Sequence, residues 1–370
     1  MTYIWDQPQW PSFRWDERRL AQPLADLRHE QGRLLGRMES LGFALRQEAF
    51  LRTLTGDVLK TSDIEGEKLD PAQVRSSLAR RLAMDIGALT PANRNVEGVV
   101  AMTLDATRNF ADPLTEDRLF RWHAALFPTG RTGRPKIRVG AWRDDAGGPM
   151  QVVSGPIGRE RVHYSAPPAA GLVAEMGIFL DWFNGSPAID PVLKAALAHL
   201  WFVTIHPFDD GNGRIARAIA DLALARSEQS PQRFYSMSTQ IRAERRAYYA
   251  ALERTQHDTL DVTRWMEWFL GCLHRAIVGA EGTLSAVLSK AHFWQRHATA
   301  QLNGRQIKVL NQLLDGFEGK LTSSKWAKIG KCSQDTAIRD IVALMEMHIL
   351  SKGPAGGRST SYALASPVDA

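Results

Sequence analysis

The sequence predicts a mainly helical fold, interrupted by one β-hairpin and followed by a small C-terminal module of helices and strands. Three observations carry this. Apolar residues recur at helical spacing over long stretches, first at Leu20, Leu24, Leu27, Leu34, Met38 and Leu41, later at Leu193, Leu197, Leu200 and Val203. Ahead of the C-terminal segment, only Val139 to Pro168 reads as strand and turn. From about residue 290 the pattern changes to three short helical runs and two strand-like ones.

In order, residues 1 to about 16 set Trp5, Trp10 and Trp15 among prolines and read as a packed extended arm. With the charged helix through Leu41 this makes an N-terminal helical domain over 1–94. A mostly helical section follows over 95–275, then a linker over 276–289 and the C-terminal module over 290–370. A chain of 370 residues is long enough for two or three domains with full cores. The formal charge of +6 is spread along the chain, so it permits nucleic-acid contact without arguing for it. Cys272 and Cys332 lack metal-ligand spacing and suit a reducing compartment. The N-terminus shows no signal-peptide pattern and no apolar run is long enough to span a bilayer, so a cytoplasmic location is expected.

The segment His206 to Arg217, HPFDDGNGRIAR, holds the densest chemistry. A loop at Asn184-Gly185-Ser186-Pro187 precedes a helix from Pro191 to Thr204. Pro207 ends that helix, because it lacks an N–H and steers His206 away from the helical region. Ile215, Ala218, Ile219 and Leu222 begin a second helical period just beyond Gly213. The intervening loop opens onto a helix N-terminus, where free N–H groups and the dipole favour an anion. Arg214 and Arg217, three apart and on one face, oppose the dipole there, a choice that makes sense if a polyanion docks. Gly211 and Gly213 let backbone N–H groups approach it. Asp210 beside phosphate calls for an intervening cation, and Mg²⁺ fits. His206 is a base suited to near-neutral pH. The residues read as a nucleotide–metal site with a general base, Phe208 being a buried anchor; the bland alternative is a glycine loop between two core helices.

The string matches the Fic family motif, HPFx(D/E)GNGRxxR, at every specified position, and the chain resembles that family. The resemblance implies a Fic-type helical core preceded by a small helical domain, and a protein adenylyltransferase that moves AMP from ATP to a protein hydroxyl. It assigns His206 to take the proton of a target Ser, Thr or Tyr, and Asp210 to hold Mg²⁺ on the α- and β-phosphates. Gly211, Asn212 and Gly213 would cradle the phosphates, Arg214 steady them and Arg217 grip the γ-phosphate. A tyrosine on the helix around Arg245 to Leu252 would line the adenine pocket, with Tyr249 and Leu252 as candidates; core packing of the Tyr248–Tyr249 pair is the competing reading.

Val152-Val153 and Val162-His163-Tyr164 flank Ser154-Gly155-Pro156-Ile157-Gly158, which is hairpin chemistry. It reads as an ordinary surface hairpin or, by the family resemblance, as the flap whose edge, near Val152 and Val153, pairs with the target backbone. Upstream, Thr61-Ser62-Asp63-Ile64-Glu65-Gly66 has two readings. Ser62-x-x-Glu65 is a capping-box pattern with Gly66 as breaker. The segment also resembles the family's inhibitory motif, (S/T)xxxE(G/N), in which the glutamate, here Glu65, pairs with the second motif arginine, here Arg217.

The C-terminal segment reads as a winged helix, with helices over Gln306–Leu314, Ser323–Ile329 and Ser333–Met347 and a wing from Leu350 to Leu364 around Gly353-Pro354-Ala355-Gly356-Gly357. Residues 301–370 hold nine Lys/Arg against six Asp/Glu, and the third helix carries Arg339 against Asp335, Asp340 and Glu346. That is a poor match to a duplex, so contacts with protein or with a second copy are at least as well supported as DNA. The expected function is an autoinhibited adenylyltransferase using ATP and Mg²⁺ on an unidentified protein target. The alternatives are a de-AMPylase working with the same residues and a nucleotide-sensing transcription regulator.

Overall fold

Helices dominate, as the spacing predicts. The computed structural model describes residues 3–365 except 88, 132–134, 157, 187, 316, 318 and 354–359. The chain divides into two units, Met1–Glu281 and Gly282–Ala370.

The first unit opens with a single 3-10 turn at Ile4–Asp6, then α1 (Glu17–Glu39), α2 (Phe43–Ile64), α3 (Pro71–Arg81), α4 (Arg94–Arg108) and α5 (Glu116–Leu126). The hairpin strands β1 (Gln151–Ser154) and β2 (Arg161–Ser165) come next, followed by α6 (Leu172–Asn184), α7 (Pro191–Ile205), α8 (Asn212–Glu228), α9 (Met237–Ala243), α10 (Arg245–Gln256) and α11 (Thr263–Arg296). Local chemistry sets the starts: Asp16, Asp70, Asn93, Thr115 and Asp190 each accept a hydrogen bond from a first-turn N–H of the helix they precede. α7 is apolar around its whole circumference and buried from Ala195 to Ile205, so it forms the centre of the unit. α8 packs along it, with α6 against α7 and α4 against α8.

The N-terminal segment folds into this same unit. α2 lies against α9, α3 and α4, and the buried Asp57 carboxylate of α2 accepts the Ser236 hydroxyl at 2.6 Å. The tryptophan arm packs as expected but is turned rather than extended over residues 4–11: Trp5 Nε1 donates to the Ser165 carbonyl at 2.8 Å, and Trp10 Nε1 to Glu175 at 2.9 Å.

β1 and β2 pair antiparallel, Val152 with Tyr164 and Val153 with Val162, with an irregularity in register between the two valines. Gly155 turns the chain at φ 107°, and a Cβ there would stand 2.9 Å from the Arg159 carbonyl oxygen. β2 is tied to α10 through Glu253, which accepts from Arg161 at 2.7 Å and meets His163 Nδ1 at 3.1 Å. Ile157 lies outside the described residues.

The second unit contains α12 (Gly304–Leu314), α13 (Ser323–Gly330), α14 (Gln334–Glu346) and the antiparallel strands β3 (Leu350–Lys352) and β4 (Tyr362–Leu364) around Val309, Leu310, Trp326, Ile341 and Leu344. Its three helices fall within two residues of the expected bounds. Of the expected wing tip, Pro354 to Gly357 lie outside the described residues.

Residues 276–289, expected as a linker, are instead part of the continuous helix α11, and the boundary between the units falls within it. Ile277, Ala280, Leu284 and Val287 are buried at helical spacing, a signal present in the sequence but passed over. Both cysteines are free. Among the described residues, no helix is long and apolar enough to cross a membrane.

Candidate active site

The site is built where α7 stops and α8 starts. His206, the residue after α7, takes the left-handed conformation, φ 52° and ψ 57°. A side chain there costs about 1–2 kcal/mol, so neighbouring contacts must hold it. Arg143 does so. Its Nε donates to the His206 carbonyl at 2.8 Å, its backbone N–H to the Pro207 carbonyl at 2.9 Å, and its Nη1 pairs with Asp145 at 2.8 Å. Asn212 clasps the loop from the other end. Its amide accepts from Phe208 N at 3.0 Å and donates to Phe208 O at 2.7 Å. The Asn212 side chain is thus taken up by the loop, leaving its backbone N–H to face an anion.

Phe208 is fully buried, stacked on the His123 imidazole at 4.2 Å between ring centres. His123 Nδ1 accepts from Gly140 N at 3.1 Å, which puts the proton on Nε2, facing the Asp210 carbonyl at 3.2 Å. Burial pushes the His123 pKa down to about 4, so the ring stays neutral, as this pattern of bonds requires. Gly211 follows at φ 81°, where a Cβ would lie 2.8 Å from the Phe127 ring.

His206 Nδ1 lies 3.1 Å from the Val203 carbonyl and must donate to it, so the Nε2 lone pair is available as an acceptor. Burial pushes the His206 pKa down to about 4; the Val203 bond opposes this and the Arg143 charge adds to it. The imidazole is neutral at pH 7.

No side chain caps the N-terminus of α8, and Arg214 and Arg217 are both buried in its first turns. Arg217 donates Nε to Thr61 Oγ1 at 2.8 Å and Nη2 to the Thr61 carbonyl at 2.9 Å and to Glu65 Oε1 at 2.7 Å. Arg214 pairs through Nη1 with Glu67 at 2.8 Å and lies over the Phe127 ring. Among the described residues, Arg214 Nε and Arg217 Nη1 are buried without a well-formed hydrogen bond to an acceptor, although Arg217 also stands beside the Tyr248 hydroxyl. Buried orphan donors are costly, and an anion would satisfy them. Gly213 makes the approach of Glu65 possible, since a Cβ there would stand 2.4 Å from Glu65 Oε1.

The capping-box reading of Ser62-x-x-Glu65 is corrected here. Glu65 is at the C-terminal end of α2, not at a helix start, and among the described residues the buried Ser62 hydroxyl has no hydrogen-bond partner. Gly66 does break the helix, at φ 86°.

Glu65 and His206 share a cavity of about 630 Å³ whose walls also include Val152, Val153, Tyr249 and Leu252, with Arg214 and Arg217 buried behind the lining. Asp209, Asp210, Gly211, Asn212 and Gly213 line the same space. The Tyr249 hydroxyl stands 3.5 Å from Glu65 Oε2, while Tyr248 is buried behind it with its hydroxyl 2.9 Å from His199 Nε2. The two aspartates each accept a backbone N–H. Asp209 accepts the Arg138 N–H at 2.7 Å, and Asp210 accepts the N–H of Gly211. Among the described residues no three or more His, Cys, Asp or Glu gather as a metal cage. One carboxylate beside an anion site nevertheless suits Mg²⁺, which takes most of its ligands from phosphate and water.

His123, Arg143 and Glu67 were missed in the sequence. Each is a single residue far along the chain from its partner, and no spacing marks it.

An uncapped helix end, two buried guanidiniums and a neutral imidazole make a site chemically suited to a polyanion beside a proton acceptor. The chain carries a Fic/DOC family domain: residues 113–224 match the model of the Fic/DOC family, and residues 3–84 match a domain of unknown function, DUF4172. It is similar to protein adenylyltransferase fic-1 of Caenorhabditis briggsae, 39% identical over 83 residues, covering 22% of this chain and 15% of that protein. To fic-1 of Caenorhabditis elegans it is 26% identical over 253 residues, covering 64% of this chain and 42% of that protein. The matches thus span less than half the length of these relatives. The crystal structure of a Fic family protein from Desulfovibrio desulfuricans G20 has the same fold, with a TM-score of 0.52 at 22% identity, covering 94% of this chain and 96% of that one.

Proposed function

We propose that the chain is a protein adenylyltransferase that moves AMP from ATP to a Ser, Thr or Tyr hydroxyl of a target protein, releasing pyrophosphate, and that Glu65 restrains it. The observation that carries the reading is His206, fixed as a neutral acceptor in one cavity with an anion-ready helix terminus. His206 Nε2 takes the proton of the target hydroxyl as its oxygen bonds to the α-phosphorus. The bond from that phosphorus to the bridging oxygen breaks, and its electron pair leaves with pyrophosphate. The N–H groups of Asn212 and Gly213, and that of Gly211 once Asp210 turns from it to the metal, bind the phosphates, with Arg214 beside them and Arg217 on the γ-phosphate. Asp210 would hold Mg²⁺, which neutralises phosphate charge when bound. Tyr249 and Leu252 give the base a flat apolar wall.

β1 belongs to a two-stranded sheet, with Val153 exposed beside the cavity. An extended target segment adding along this edge would bring its hydroxyl to His206 with little side-chain selection. Glu65 holds Arg217 Nη2, the donor needed by the γ-phosphate, which is the physical basis of the restraint. Incubation with α-labelled and, separately, γ-labelled ATP tests the reading. Label from the α-position alone should become protein-bound, and incorporation of the γ-label would contradict it.

A second reading has its own observation. Glu65 lines the cavity, so its carboxylate also suits orienting water for AMP removal. Residues 290–370 are read as a winged helix whose α14 exposes Ile338 and Val342 beside Asp335 and Glu346, a face better suited to protein, including a second copy, than to DNA.

A further inference from the structure

The chain leaving α2 places a second carboxylate on the phosphate site. Gly66 turns it at φ 86°, and two residues past Glu65 the Glu67 side chain meets Arg214 Nη1 at 2.8 Å. Glu65 and Glu67 therefore each hold a different one of the two motif arginines. The Arg214 side chain is 6% exposed and that of Glu67 32%, so a nearly buried guanidinium is neutralised by a carboxylate open to solvent. Glu67 Oε1 also accepts from Asn95 of α4 at 3.4 Å, which braces it between α4 and α8. Arg214 is not saturated by this, since its buried Nε lacks an acceptor.

We propose that Glu67 weakens the site's hold on the inner phosphates of any nucleotide that enters, acting on Arg214 as a clasp separate from that of Glu65 on Arg217. The proposal rests on the adenylyltransferase reading, in which the two arginines serve different phosphates. A carboxylate on Arg217 competes with a γ-phosphate only. A carboxylate on Arg214 competes with the inner phosphates, which ADP and ATP share, because phosphate and carboxylate use the same donor fork. Even without being displaced, Glu67 cancels charge that would otherwise attract phosphate.

The test is calorimetric titration of the full chain, wild type, Glu67→Gln, Glu65→Gln and the double variant, with ADP and with ATP in the presence of Mg²⁺. Glu67→Gln keeps the shape of the side chain and removes its charge; Glu67→Ala serves as the second variant, and thermal melting checks that each protein is folded. Glu67→Gln should tighten both ADP and ATP by roughly tenfold, the scale of one charge-assisted hydrogen bond. Glu65→Gln should tighten ATP and leave ADP unchanged. ADP affinity unmoved in folded Glu67→Gln and Glu67→Ala overturns the clasp and leaves the adenylyltransferase reading standing. Absence of binding of either nucleotide to all five proteins overturns both.

Discussion

Arg143 Nε donates to the carbonyl oxygen of His206 at 2.8 Å, and the Arg143 backbone N–H binds the next carbonyl, that of Pro207, at 2.9 Å. One buried arginine thereby fixes two successive peptide groups around a left-handed residue. Arg143→Gln should lower AMP transfer by roughly 10²-fold, the scale of a displaced catalytic group, with ATP affinity little changed. Arg143→Lys keeps the charge but not the fork, and should lose much of the rate too. A rate within a factor of a few of wild type in both would show that the loop holds its own shape.

The pH profile should carry the mark of the His206 environment. A depressed pKa keeps the imidazole neutral, and able to accept a proton, as pH falls below the ordinary histidine value; activity is lost only as pH approaches about 4. Initial rates of transfer should stay level from pH 7.5 to 6. In Arg143→Gln a nearby positive charge is gone, so the acid limb should move to higher pH. A wild-type limb centred near 6.5 would contradict this placement of His206. His206→Ala should lose at least about 10²-fold in transfer while ATP still binds.

Asp210→Ala should abolish metal-dependent transfer, and Asp209→Ala should be milder, because the motif that the loop matches fixes a carboxylate at 210 and leaves 209 open. Titration with Mg²⁺ separates them: Asp209→Ala should reach near wild-type rates at the same metal concentration. Equal, complete loss in both would reassign the metal ligand.

Much of the site was legible because its residues lie within one turn–helix segment. The proline after His206, the glycines at 211 and 213 and the arginine pair all have local physical meanings that spacing reveals. The hairpin and the helices of the second unit were legible for the same reason. What escaped depends on distance along the chain. Arg143 and His123 act on a loop more than sixty residues away, and Glu67 on an arginine 147 residues away. The loop-closing role of the Asn212 side chain, whose amide binds Phe208 N and O, also has no local sequence signal; its backbone N–H remains the group proposed for phosphate. The Ser62–Glu65 spacing fits a capping box as well as anything else until α2 is seen to end there.

The most direct test is incorporation of α-labelled ATP by folded Glu65→Gly. Glu65 holds Arg217 Nη2 at 2.7 Å, and its removal frees that donor for the γ-phosphate. Transfer to protein, including self-modification, should rise well above wild type, and the double variant Glu65→Gly with Arg217→Ala should lose the gain. Unchanged incorporation in the single variant would contradict the restraint. A fall in AMP addition together with lost AMP removal would show instead that Glu65 orients water in the reverse reaction.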